Sequence, residues 1–215
     1  MKRIFMDLEM NTIGWEHKEI RKHCKQEVIE FGAVCLDDDL NETGEFQCYV
    51  KPEYNDGVAK NITNITGIKT AHVENAESFG EAFGRFLEWC GTDYEIYSWS
   101  DSDPKQLKKE MALKNCQETK ETQHMFEHWN DLQKTYDEMI FCERQVGLKM
   151  AVSHAGLEFQ GRAHAALNDA RATADLFREM KDNGSIRKIR NTLEEAKKPL
   201  SQNLGDLFAG VFAFA

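Results

Sequence analysis

The sequence predicts a layered fold of strands and helices, α/β or α+β in class. Two observations predict it. Apolar runs of strand length crowd the first fifty residues, and after them strand-like runs mix with apolar residues at helical spacing.

The first strand is Ile4-Phe5-Met6-Asp7-Leu8-Glu9-Met10, bounded by Lys2-Arg3 and by Asn11-Thr12. Side chains alternate along a strand, so Asp7 and Glu9 face the same way. Both faces carry apolar residues, which predicts a strand covered on both sides. Two adjacent ionised carboxylates are costly there unless a cation neutralises them. A solvated edge strand is the other account of the pair.

A polar, charged connection leads to the second strand, residues 27–36, and a turn rich in Asp, Asn and Gly closes it. Glu45-Phe46 opens a third strand that runs to Lys51-Pro52, and the three read as an antiparallel meander. Phe79, Ala82, Phe83, Phe86 and Leu87 then recur at helical spacing up to Gly91. Glu95-Ile96-Tyr97-Ser98-Trp99 is a fourth strand, followed by the acidic cluster Asp101-Ser102-Asp103. Proline favours the first helical position, so Pro104 predicts a helix capped by Asp103. From about Trp129 the chain reads mainly helical, with Asn183-Gly184 as a stop after a helix ending near Met180.

A chain of 215 residues suits one domain plus an extension. Its net charge of −10 does not draw nucleic acid over the whole surface, so a polyanionic substrate needs a local basic rim or bound cations. The six cysteines are scattered without a C-x-x-C pair, which fits free thiols in a reducing compartment. The N-terminal run is interrupted by acids and does not read as a signal peptide. No stretch reaches the roughly 18 apolar residues of a spanning helix. These features predict a cytoplasmic protein with no membrane partner.

The second informative segment runs from Gly161 to Phe177. On a helix, Asp169 shares its stripe with Ala172, Thr173, Leu176, Phe177 and Met180, otherwise the core-facing one. A carboxylate is therefore turned inward, either to bond backbone groups or to serve a site. His164 lies just before the same helix and within reach of the same space.

D-x-E on a strand, an Asp at a strand-to-helix junction about a hundred residues on, and H-x-x-x-x-D entering a helix together resemble the DEDDh 3′–5′ exonucleases of the DnaQ-like group. The likeness spans roughly residues 1–182. Within it, the segment from Ile62 to Ile68 resembles that group's threonine-glycine-isoleucine stretch, and the segment from Val146 to Leu157 resembles the helix before its histidine motif. The spacing around Trp99 and Asp103 is most similar to the branch of histone-mRNA 3′-end and KapD-type exonucleases.

The resemblance implies a ribonuclease H-like fold, a mixed five-stranded sheet flanked by helices, over residues 1–183, with residues 184–215 as a helical extension and apolar tail. It implies that Asp7, Glu9, Asp103 and Asp169 hold two divalent cations, and their oxygen donors suit Mg²⁺ or Mn²⁺ rather than a soft metal. It implies His164 as general base, a role for which imidazole titrates in the useful range. Ala165 stands where the tyrosine-type variant needs Tyr. The implied partner is a nucleic acid 3′ end, RNA ahead of DNA, released stepwise as nucleoside 5′-monophosphates. Met10, Asn11 and Trp99 are the candidate substrate contacts.

Met10 and Asn11 stand where relatives often carry threonine, and Ser100 where the nearest branch often has glycine. Asp101 competes with Asp103 for the second acidic motif, and Asp103 fits better by its offset from Trp99. His124-Met125-Phe126-Glu127-His128 also fits the H-x-x-E-H zinc pattern, but the distant third ligand that pattern needs is not identified by the sequence, and solvated or core-edge histidines are the better account. A non-catalytic binding module on the same fold is the third class. Beyond residue 183, a charged helix carries Arg187, Lys188, Arg190, Lys197 and Lys198, with Pro199 as its breaker. The apolar tail from Leu204 is too short to span a membrane, and its Asp206-Leu207-Phe208 faintly resembles a sliding-clamp-binding peptide.

Overall fold

The computed structural model describes residues 1–197 of the chain. Its first strand, β1 (Lys2–Thr12), sends Ile4, Met6 and Leu8 into one core cluster and Phe5 into a second. That alternation makes β1 the partition between two layers of helices. A short helix α1 (Lys18–His23) interrupts the connection to β2 (Gln26–Leu36), which is buried along almost its whole length. β3 (Glu42–Tyr49) completes an antiparallel meander with β1 and β2, as the sequence predicts.

Two small helices, α2 (Lys60–Thr66) and α3 (Thr70–Val73), cross back towards α4 (Phe79–Cys90). Helix α4 starts on a reciprocal cap between Ser78 and Glu81, and packs Phe79, Phe83 and Phe86 around Phe31. β4 (Tyr94–Ser98) then lies parallel to β1. The helices α5 (Ser102–Leu113) and α6 (Lys120–Glu127) lead to β5 (Trp129–Asp131), parallel to β4. The sheet order is β3-β2-β1-β4-β5. The helices α7 (Leu132–Met139), α8 (Leu148–His154), α9 (Ala166–Lys181) and α10 (Asn183–Lys197) follow, with α9 laid across β1 and β2.

Three local expectations are corrected. Trp129-Asn130-Asp131 is a strand, too short and polar to show a period, and is fixed by pairing with β4. Asp103 does not cap α5: the helix begins at Ser102, Asp101 takes the cap position, and Pro104 sits inside the first turn. A proline is harmless there because first-turn N–H groups have no intrahelical partner. Asn183-Gly184 opens α10 rather than ending α9. The break falls at Asp182, whose carboxylate accepts the Gly184 N–H at 2.9 Å and the Ser185 hydroxyl at 3.1 Å.

Ile186 and Ile189 of α10 are buried with Phe177 and Met180 of α9. Pro199, the tail from Leu204 and the Asp206-Leu207-Phe208 peptide lie outside the described residues, as does Lys198. Among the described residues no helix is long and apolar enough to cross a membrane.

Candidate active site

The same face of β1 that carries Phe5 into the core carries Asp7 and Glu9 next. Pairing with β4 covers only Lys2 to Phe5, so from Asp7 onward this side of β1 is open. The gap is walled by the end of β4, the start of α5 and the start of α9. Asp7, Glu9, Asp103, His164 and Asp169 all line the resulting cleft, whose volume is about 270 Å³. The ligating atoms of Glu9, His164 and Asp169 lie within 4.8 Å of one another. Asp103 is 4% exposed and faces inward, whereas Asp101 is exposed and paired with Lys105. Geometry thus separates the two competing aspartates.

The start of α9 is brought to the sheet by two residues of β2 that sequence reasoning passes over. Gly32 is the register partner of Asp7, and a Cβ there would lie 2.1 Å from the Leu167 nitrogen. Only glycine lets the helix approach this closely. Glu30, the partner of Glu9, accepts the Ala166 N–H at 3.2 Å and the Gln47 amide at 2.6 Å. A second acid inside an apolar strand was the available signal for Glu30, the same one that exposes Asp7 and Glu9.

His164 stands in the turn before α9 with φ at 62°, in the left-handed region that a non-glycine residue adopts only when its surroundings hold it. Its backbone N–H lies 3.3 and 3.2 Å from the two Asp169 carboxylate oxygens. The Asn168 amide donates to the Arg162 carbonyl at 3.1 Å. Arg162 in turn donates to the Asn64 and Ile65 carbonyls at the end of α2, at 2.7 and 3.1 Å. These bonds tie the histidine turn to both α9 and α2, and sequence reasoning gives Arg162 no such part.

Burial and mutual repulsion govern the carboxylates. Burial first, then the charges of Asp103, Asp169, Glu9 and Glu30, hold Asp7 well above the usual aspartate range. Burial, then Asp169 and Glu30, push Glu9 up to about 8. Burial raises Asp103 to about 7 against the pull of backbone N–H groups, and raises Asp169 to about 6 against the His164 N–H. The Arg162 charge pulls Glu9 down, but less than burial and the neighbouring carboxylates push it up. An acidic, oxygen-donor cluster in a buried setting fits hard divalent cations, with His164 at its edge.

The candidate substrate contacts separate. Met10 is partly buried and lines the cleft beside Glu9. Asn11 is 0% exposed, and its side-chain amide donates to the Gly57 carbonyl through Nδ2 and accepts the Ala59 N–H through Oδ1, both at 3.0 Å. It anchors the 57–59 loop. Trp99 reaches the cleft wall but is held as a core residue, its indole donating to the Val146 carbonyl at 3.1 Å while its ring packs on Tyr136. The His124 and His128 rings lie tilted at 33° with centroids 4.0 Å apart, His124 meets the Tyr94 ring edge-on, and neither histidine lines the acidic cleft.

The profile of the exonuclease family RNase_T matches residues 4–177. ERI1 exoribonuclease 2 from Homo sapiens is 28% identical over 207 residues, covering 87% of this chain and 30% of that protein. The Homo sapiens 3'-5' exoribonuclease 1 is 27% identical over 166 residues, covering 74% of this chain and 47% of that protein. The 3'-5' exonuclease Snipper from Drosophila melanogaster is 24% identical over 207 residues, covering 86% and 72% respectively. The chain therefore spans under a third of ERI1 exoribonuclease 2 and about half of 3'-5' exoribonuclease 1. Among solved structures, the nuclease domain of 3'hExo, a DEDDh family member bound to rAMP, superposes with a TM-score of 0.73 at 24% identity, over 85% of this chain and 92% of that one. Cell-death related nuclease 4 superposes with a TM-score of 0.67 at 21% identity, over 84% and 63%. These likenesses establish the ribonuclease H-like fold.

Proposed function

The chain belongs to the RNase_T exonuclease family, and from that membership we propose that it is a metal-dependent 3′–5′ exonuclease acting on single-stranded RNA ends. The observation that carries the reading is the convergence of Asp7, Glu9, Asp103 and Asp169 with His164 in one cleft. The family implies divalent metal ions; the four carboxylates suit two, and oxygen donors favour Mg²⁺ or Mn²⁺. When bound, such ions lower the pKa of the attacking water and stabilise charge on the phosphate and the leaving 3′-oxygen. The imidazole of His164 takes the proton of that water. Asp169 keeps His164 in place by accepting its backbone N–H. Met10 sits where it can pack on the terminal base. Each turn releases one nucleoside 5′-monophosphate.

The catalytic unit is assigned to residues 1–183 and the remainder to an extension. RNA is favoured over DNA because the relatives include exoribonucleases by name, and one solved relative recognises a histone mRNA stem-loop. Free, scattered cysteines support a reducing, cytoplasmic setting. The test uses 5′-labelled RNA and DNA of one sequence with Mn²⁺, Mg²⁺ or chelator. A metal-dependent ladder shortening from the 3′ end is expected, faster on RNA, and about 10² to 10⁴ times slower in His164→Ala. A faster DNA ladder would make it a DNA exonuclease; no ladder on either polymer would reduce it to a binding module.

Arg162→Ala should lower the shortening rate about tenfold to a hundredfold by loosening the histidine turn. Arg162→Lys should recover little of it, since one ammonium does not reproduce a planar fork spanning two carbonyls. Initial rates, with circular dichroism confirming an unchanged fold, check this.

A further inference from the structure

An acidic protein with an acidic cleft must attract a polyanion through cations placed locally. The segment that leaves β1 beyond the site supplies them. From Trp15 to Lys25 it holds four lysine or arginine residues against two glutamates, within a chain of net charge −10. The segment is stapled at its base, where the Ile13 N–H donates to the Lys25 carbonyl at 3.0 Å. Arg21 donates to the Ile13 carbonyl and lays its guanidinium 4.0 Å from the centre of the Trp15 ring. Trp15 is nevertheless 74% exposed. One indole face is covered by a cation and a large aromatic surface is left to water.

The base of this segment, at Cys24 and Gln26, is joined to α5, the helix that carries Asp103. Gln106, one helical turn (about 4.5 Å of rise) after Asp103, donates to the Gln26 carbonyl at 2.9 Å and touches Cys24. Lys109, one turn further, lies close enough for its charge to act on the Cys24 thiol. Lys22 and Lys105 are paired with Glu19 and Asp101, but Lys18, Lys25 and Lys109 make no ion pair among the described residues. An open aromatic plane, on a segment whose lysines are unpaired among the described residues, suits a single strand bound by stacking and charge irrespective of sequence.

We propose that the Trp15–Arg21 stack and Lys18, Lys25 and Lys109 form the track that holds the single strand upstream of its 3′ end. The proposal rests on the exonuclease reading and places the rest of the substrate on this chain. Binding of the full chain to a labelled RNA of about 20 nucleotides is measured in chelator, which stops turnover. Trp15→Ala should weaken binding about tenfold and Trp15→Phe should restore most of it, because stacking needs only an aromatic plane. Replacing Lys18, Lys25 and Lys109 with alanine together should flatten the slope of log Kd against log salt by about 2. Both variants binding within about twofold of wild type at every salt would overturn the track. If the wild type still shortens RNA with Mn²⁺ in that case, the exonuclease reading stands without it. Wild type that neither binds nor shortens any strand overturns both, and loss of binding to anionic vesicles alone would assign the patch to a membrane instead.

Discussion

Gly32→Ala is expected to cost about 1–3 kcal/mol of stability and to slow 3′ shortening about a hundredfold. The added methyl would meet the Leu167 nitrogen at 2.1 Å, the Ala166 carbonyl carbon at 2.2 Å and the Ala166 side chain at 2.7 Å. Two of these are backbone atoms, so no rotamer change relieves the overlap, and the start of α9 must lift from β2. The same movement lengthens the bond from Ala166 to Glu30 and carries Asp169 and His164 away from Asp7 and Glu9. A displacement near 1 Å is enough to lose two orders of magnitude in a positioned site. Gly44→Ala is the comparison: its methyl would meet only the Trp89 ring, at 3.9 Å. Thermal melts and initial rates on both variants check the expectation. A normal rate in Gly32→Ala would show that α9 tolerates the shift and that its close approach is not what sets the site.

What the sequence discloses divides by the range of the physics. β1, β2 and β3 are legible because a strand buried on one or both faces needs an apolar run of fixed length, and the meander follows from short connections. Asp7 and Glu9 are legible because ionised groups interrupt such a run. Asp169 is legible because it breaks a helical core stripe. By contrast, β5 is three residues whose strand character comes from the free edge of β4, not from its own pattern. Asn11 looks like a site residue because it follows the acidic pair, yet its polar groups are spent on the 57–59 loop. Gly32 and Arg162 act across 135 and 97 or 98 residues of chain, and spacing along the sequence carries no trace of such contacts. The acidic and histidine side chains of the cleft are therefore readable, while the residues that position them are not.

Asp7→Asn should abolish activity and at the same time stabilise the metal-free protein, a pair of opposite effects that misfolding does not produce. Asp7 lies at the centre of the repulsion, raised by burial and by four neighbouring carboxylates. The sign follows from linkage. With Glu9 at about 8, Asp103 at about 7 and Asp169 at about 6, the folded metal-free protein binds more protons than the unfolded chain between about pH 4 and pH 8. Its stability therefore falls as pH rises through that window. Removing one charge relieves part of the fall, so Asp7→Asn in chelator should melt about 3–6 °C above wild type at pH 8, the equivalent of 1–2 kcal/mol. At pH 5 the difference should shrink, because the wild-type cluster already holds its protons. Divalent metal reverses the order. At a hundred times its dissociation constant it should add about 2.7 kcal/mol to the wild type, and much less to the variant, which has lost a ligand. The shortening rate of the variant should fall at least about 1000-fold, since it has lost a carboxylate that would hold the cation whose charge offsets that of the phosphate. Melting curves at pH 5 and pH 8, with Mn²⁺ and with chelator, read all of these signs. A variant that melts below wild type at pH 8 without metal would show that Asp7 serves the fold, and the cluster would lose its standing as a site held open for cations.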